Sequence, residues 1–188
     1  QDIDIIRRTK ETISHEAFYS AADALVNAKR VYIIGAGSSL ALATFLSHYL
    51  SLVFDAVQLI NATSDAQILQ QLVHIGAGDA LIGISFPRYS KKAAKALRYA
   101  SDRGASVIAI TDSTLSPLAS CAQQVLLAKS DMVSFVDSLV GPLALINALI
   151  VTVAIKKKEE VAKTLCDLEN IWDEYGVYEK VENKSDDE

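Results

Sequence analysis

Two short stretches carry residue types that together could hold an anion: Gly35-Ala36-Gly37-Ser38-Ser39 and Ser85-Phe86-Pro87-Arg88-Tyr89-Ser90-Lys91-Lys92. The first sets two glycines and two hydroxyls between an apolar strand, Val31-Tyr32-Ile33-Ile34, and a helix-forming stretch from Leu40 to Phe54. Glycines let the backbone come close to a ligand, and the unpaired N–H groups of a helix start favour negative charge. A dinucleotide fingerprint would need a third glycine where Leu40 stands, and a triphosphate-binding loop would need Gly-Lys-Ser/Thr; neither is there. A plain tight turn accounts for these five residues equally well.

The second stretch says more. Ser85 stands at the end of an apolar strand, Ser90 is placed to cap the next helix, and Arg88 lies between them. Lys91 and Lys92 fall in the first helical turn, where cations oppose the helix dipole unless an anion is near. Hydroxyls, helix N–H groups and a guanidinium around one point suit a phosphate monoester. The plainer reading is that Ser90 only caps and the cations only face solvent. Elsewhere, Thr111-Asp112-Ser113-Thr114 precedes Ser116-Pro117, a natural cap and first helical residue, and reads as structural. Ser134, Asp137 and Ser138 open the penultimate predicted helix and could turn hydroxyls or a carboxylate toward a sugar. Cys121 and Cys166 have no metal spacing, so neither metal nor cofactor is expected.

Alternating elements must position these loops. Residues 2–28 read as one leading helix, with Ile3, Ile6, Ile13, Ala17, Ala21 and Ala24 at helical spacing. Strands follow at 31–34, 56–60, 80–84, 106–110 and 124–127. Helices are predicted over 40–54, 64–74 and 90–103, with a short one within 111–120. Two long helices, about 134–155 and 158–174, close the chain. Short apolar strands separated by helices imply parallel βαβ crossovers. The predicted fold is α/β: a three-layer α-β-α sandwich around a five-stranded parallel sheet. In such sheets ligands lie beyond the carboxyl ends of the strands, where both loops fall.

Composition narrows the partners. The 188 residues fit one domain, with 51% hydrophobic and 22% charged residues. The net charge is −5, but the last eight residues hold one Lys against four acids, which leaves −2 for the rest. No basic face is available for a nucleic acid backbone. The uncharged run from Ser138 to Ile155, followed by three lysines, is as apolar as a membrane span. Asp137, Asn147 and Pro142 favour a helix buried in a water-soluble fold, so no membrane partner is expected. Two cysteines in so long a chain suggest reduced thiols and a cytoplasmic location. Residues 177–188 read as a disordered acidic tail.

These loops, in this order, resemble the SIS (sugar isomerase) domain, a five-stranded flavodoxin-like α/β sandwich that binds phosphorylated sugars. Its first loop is typically G-x-G-x-S, matched by Gly35, Gly37 and Ser39. Its third-strand loop is typically S-x-S-G-x-T, matched at its ends by Ser85 and Ser90, whereas Pro87 and Arg88 replace serine and glycine. Within the superfamily the chain looks most like the C-terminal effector domain of RpiR-type transcriptional regulators, with residues 29–176 as the SIS domain and 1–28 packed on it. The resemblance implies a phosphorylated sugar effector and a homodimer or homotetramer, with DNA reached only through an N-terminal helix-turn-helix that this sequence lacks. It implies Gly37, Ser38, Ser39, Ser85, Arg88, Tyr89 and Ser90 as ligand-binding residues, with none catalytic. The alternatives are an aldose–ketose isomerase, which needs a general base, and a domain that has lost its ligand. For a base the sequence offers His15, His48, His74 and a handful of carboxylates, none adjacent to the two loops in sequence.

Overall fold

Strand β1 (Val31–Gly35) pairs in parallel with β2 (Val57–Ile60) on one side and β3 (Ala80–Ile84) on the other, and β4 (Ser106–Thr111) and β5 (Gln124–Leu127) extend the sheet beyond β3. This computed structural model describes residues 1–61, 64–133 and 136–179. Side chains alternate across a strand. Accordingly Ile33, Ile82, Ile108 and Ile110 point to one face, and Tyr32, Ile34, Leu81 and Val107 to the other. The first face is covered by α2 (His15–Val26), α3 (Ser39–Leu50) and α6 (Val140–Lys156), the second by α4 (Asp65–Gln71) and α5 (Lys91–Asp102). The three-layer α/β sandwich expected from the sequence is the fold observed.

Two boundaries are corrected. The leading segment is two helices, α1 (Asp2–Thr12) and α2, because Ile13 is extended and the Ser14 hydroxyl caps α2 by accepting the Ala17 amide at 3.2 Å. The break changes the phase of the apolar stripe. Ile3 and Ile6 are exposed, and Ile5 and Thr9 pack instead against α6. The Thr9 hydroxyl accepts the Lys129 amide at 3.0 Å, and Arg8 pairs with Asp131 at 2.6 Å. The penultimate helix starts at Val140 and not near 134; β6 (Met132–Val133) and β7 (Val136–Asp137) form an antiparallel hairpin before it. Ser134 and residues 180–188 lie outside the described residues. Residues 177–179, assigned to the tail, are described: Tyr178 packs its ring edge-on against Trp172 at 5.1 Å.

Other elements form as predicted. Ser64, Ser90 and Ser116 accept the amides three residues on, at 3.3, 3.2 and 3.2 Å. The short helix is one 3-10 turn, Ala119–Cys121. Helix α6 buries Leu145, Ile146, Leu149 and Val153 against the sheet and α2. Among the described residues no single helix is long and apolar enough to cross a membrane, and α6 meets α7 (Lys158–Tyr175) at a bend of 98°.

At the amino end of the sheet a charged clamp ties β1 to β3. Arg30 donates to both oxygens of the buried Asp79, at 3.0 and 2.7 Å, and Asp79 also accepts the Gly76 amide at 3.0 Å. Asp79→Ala is expected to lower stability by about 2–3 kcal/mol, the loss of charged hydrogen bonds plus an orphaned amide. Urea unfolding of the variant checks this, with the slope of the transition unchanged.

Candidate functional site

The strand order 2-1-3-4-5 reverses direction between β1 and β3, which opens a crevice at their carboxyl ends. Gly35 lies opposite Ile84 in register, so the loop after β1 and the loop after β3 leave the sheet side by side. Between them is a cavity of about 230 Å³ lined by Gly37, Ser38, Ser39, Ser85, Arg88 and Asp137, among others. That is room for a small polar ligand and too little for a dinucleotide.

The glycines have distinct reasons. A Cβ on Gly35 would sit 2.5 Å from the Ser39 carbonyl oxygen, so the strand can turn into α3 this tightly only without a side chain. Gly37 has φ +61°, in the left-handed region that other residues pay to enter. Ser39, Leu40 and Ala41 donate to carbonyls three residues back at 3.1–3.2 Å, whereas the amides of Gly37 and Ser38 make no backbone hydrogen bond among the described residues. Free amides at the start of a twelve-residue helix, with its positive dipole end, suit an anion.

Across the cavity, Ser85 is buried and its hydroxyl oxygen accepts the Ser90 amide at 2.9 Å, which leaves the O–H free to donate. This bond folds the second loop back on itself and presents Arg88, exposed, on the cavity rim. Asp137, carried by the β6–β7 hairpin, closes the far side and accepts a hydrogen bond from Ser38 at 2.9 Å. Five of the seven residues expected from the sequence therefore line one cavity: Gly37, Ser38, Ser39, Ser85 and Arg88.

Tyr89 and Ser90 stand outside its wall. The Ser90 hydroxyl oxygen accepts the Ala93 amide as the cap of α5. Tyr89 turns away to donate to Asp112 at 2.8 Å, and burial together with this carboxylate pushes its phenol up to about 12 from an ordinary value near 10. Because the folded value is the higher one, this interaction stabilises fully below pH 10 and is lost as pH rises from 10 toward 12. Tyr89→Phe is expected to remove that alkaline decline, read as stability against pH by denaturant titration. Lys91 and Lys92 also lie outside the cavity wall, as do His15, His48 and His74. The Asp137 carboxylate was visible in the sequence only as one of three polar residues at a supposed helix start; the hairpin that aims it was not.

A family model described as the SIS domain matches residues 24–152, more than half of the chain. This chain belongs to the SIS domain family. The SIS domain of an RpiR transcription factor from Sphaerobacter thermophilus superposes with a TM-score of 0.85 at 30% identity, covering 90% of this chain and 94% of that one. An HTH-type transcriptional regulator of Caldanaerobacter subterraneus is 29% identical over 166 residues, 85% of this chain. The chain spans 57% of that relative's length. The Vibrio vulnificus NanR protein complexed with ManNAc-6P shares the fold, with a TM-score of 0.79 at 18% identity, over 91% of this chain and 65% of that one. The SIS fold and the likeness to an RpiR-type domain expected from the loops are thus both found.

Proposed function

We propose that this SIS domain is the effector-sensing part of a transcriptional regulator and that its ligand is a phosphorylated sugar held between the loops after β1 and β3. The observation that carries the reading is the cavity itself, which sets free amides and hydroxyls at a helix start opposite one guanidinium. The phosphate would be held by Ser38, Ser39, Ser85, the Gly37 amide and Arg88, with Ser90 and Tyr89 fixing the loop that presents them. The regulator likenesses support sensing over catalysis, and NanR supplies a ligand of the proposed class. In this reading residues 29–176 form the sensing unit, residues 1–28 an arm packed on it, and the domain works in the cytoplasm as a homo-oligomer. DNA is contacted by a helix-turn-helix domain elsewhere in the regulator.

Asp137 gives the pocket a second chemical end. A carboxylate repels a bare anion and accepts hydrogen bonds from hydroxyls, so it suits the sugar half of a phosphosugar. Asp137→Asn is expected to reduce the preference for a sugar phosphate over inorganic phosphate by about ten-fold, roughly 1.4 kcal/mol. Competition binding with both ligands measures it.

The same carboxylate favours one second reading, an isomerase in which Asp137 serves as general base. A thermal-shift panel of sugar phosphates and their unphosphorylated parents, followed by a product assay, separates the two. Sensing predicts stabilisation of about 2.7 kcal/mol at a hundred-fold excess over Kd, for a phosphorylated sugar alone and with no product. Product formation would make it an enzyme, and no shift across the panel would remove the sugar-phosphate reading.

A further inference from the structure

The chain leaving β5 grips two things at once. On one side it holds α1: the Lys129 amide donates to the buried Thr9 hydroxyl oxygen at 3.0 Å, and Asp131 pairs with Arg8 at 2.6 Å. The fit is close, since a Cβ on Gly141 at the start of α6 would run into the Lys129 carbonyl, the Thr9 hydroxyl and Ile5. Three contacts brace this stretch to the strand that returns from the hairpin. Met132 pairs with Asp137, the Ser138 amide donates to the Asp131 carbonyl at 3.2 Å, and the Ser130 hydroxyl donates to the Ser138 carbonyl at 3.0 Å. Asp137 in turn accepts the Ser38 hydroxyl in the cavity wall at 2.9 Å. A continuous polar route therefore runs from the cavity to α1 through two strands of two residues each. So short a ladder has little stability of its own and depends on what holds its two edges.

A serine hydroxyl has one proton to donate. Here Ser38 gives it to Asp137. In the proposed complex it goes to the phosphate, and the carboxylate passes to a sugar hydroxyl, so the two arrangements exclude each other. We propose that the Ser38–Asp137 hydrogen bond is a latch that holds α1 through the β6–β7 hairpin, and that a sugar phosphate opens it and loosens α1. Loosening follows because the hairpin exchanges a bond to a fixed helix start for one to a ligand, and gains a phosphate charge near its carboxylate. Inorganic phosphate brings no sugar hydroxyl to take over Asp137 and leaves the latch closed. What opens the latch rests on the sugar-phosphate reading of the cavity; the link from Ser38 to α1 does not.

Amide hydrogen exchange of the 188-residue chain without ligand, read by mass spectrometry, tests the link. Ser38 is exposed and its side chain makes no cap bond to α3, so Ser38→Ala removes the donor to Asp137 and keeps the fold. The α1 amides from Ile5 to Thr12 are expected to exchange about three- to ten-fold faster, as the loss of one net hydrogen bond implies, with α4 and α5 unchanged. Ser38→Thr keeps the hydroxyl and should restore the slow rate. Unchanged α1 exchange in Ser38→Ala, or an increase spread evenly over the sheet and α5, overturns the latch. Arg8→Ala/Thr9→Val cuts the far end of the route while Ile5 still anchors α1. In that background Ser38→Ala should add nothing, and additive effects contradict the hairpin as carrier. A sugar phosphate that stabilises the chain in the thermal panel should speed the same α1 amides at saturation. If it leaves them unchanged, the latch is wrong and the cavity reading stands. A panel with no stabilising member removes the cavity reading and with it the opening of the latch, whatever Ser38→Ala shows of the link.

Discussion

Gly35→Ala is expected to destabilise this SIS domain by about 3 kcal/mol, the upper end of an overpacking penalty, because the obstacle is backbone. The added methyl would meet the Ser39 carbonyl oxygen and carbon at 2.5 and 2.9 Å and the Ala43 Cβ at 3.0 Å. None of these is the free end of a flexible side chain. To relieve the contact, α3 must shift away from β1, and Ser38 and Ser39 in the cavity wall move with it. Gly37→Ala provides the contrast. Its Cβ would enter open space, so only the left-handed φ is paid for, about 1 kcal/mol. Urea unfolding of both variants measures the order, and the account predicts that Gly35→Ala is the worse by a clear margin.

Arg88→Ala is expected to weaken sugar phosphate binding by about 10- to 100-fold with little change in stability, since a charged hydrogen bond is worth roughly 1.5–3 kcal/mol. Arg88 is exposed and is the only Lys or Arg lining the cavity among the described residues. Arg88→Lys keeps the charge but loses the planar fork that can grip two phosphate oxygens, so it should recover only part of the loss. Isothermal titration with the ligand found in the thermal panel gives the three affinities. Equal affinity in Arg88→Ala would mean that the anion is held by the helix start and the serine hydroxyls without the guanidinium.

The sheet was legible because its strands are short apolar runs bounded by turn residues, and because serine caps have a local signature. Ser64, Ser90 and Ser116 each cap as their positions suggest. The leading segment misled because apolar spacing continues through Ile13, and helical periodicity does not reveal a cap inside it. The β6–β7 hairpin was missed because two strands of two residues are too short to show alternation, and the apolar run behind them reads as one helix. Asp137 reads from the sequence as a carboxylate that could face a sugar, but it reaches the cavity on strand β7 and not at a helix start. Tyr89 is adjacent to Arg88 in sequence, yet its partner Asp112 lies 23 residues further on, a relation that only folding supplies.

The most direct test of the central claim, that a phosphorylated sugar sits between the loops after β1 and β3, is a titration followed by amide chemical shifts in the ¹⁵N-labelled chain. A ligand held there moves the Gly37, Ser38, Ser39, Ser85 and Arg88 amides first and together, shifts Asp137 only when it bears a sugar, and leaves Gly76 and Asp79 at the opposite end of the sheet still. Shifts clustered anywhere else, with those five amides unmoved at saturation, would contradict it.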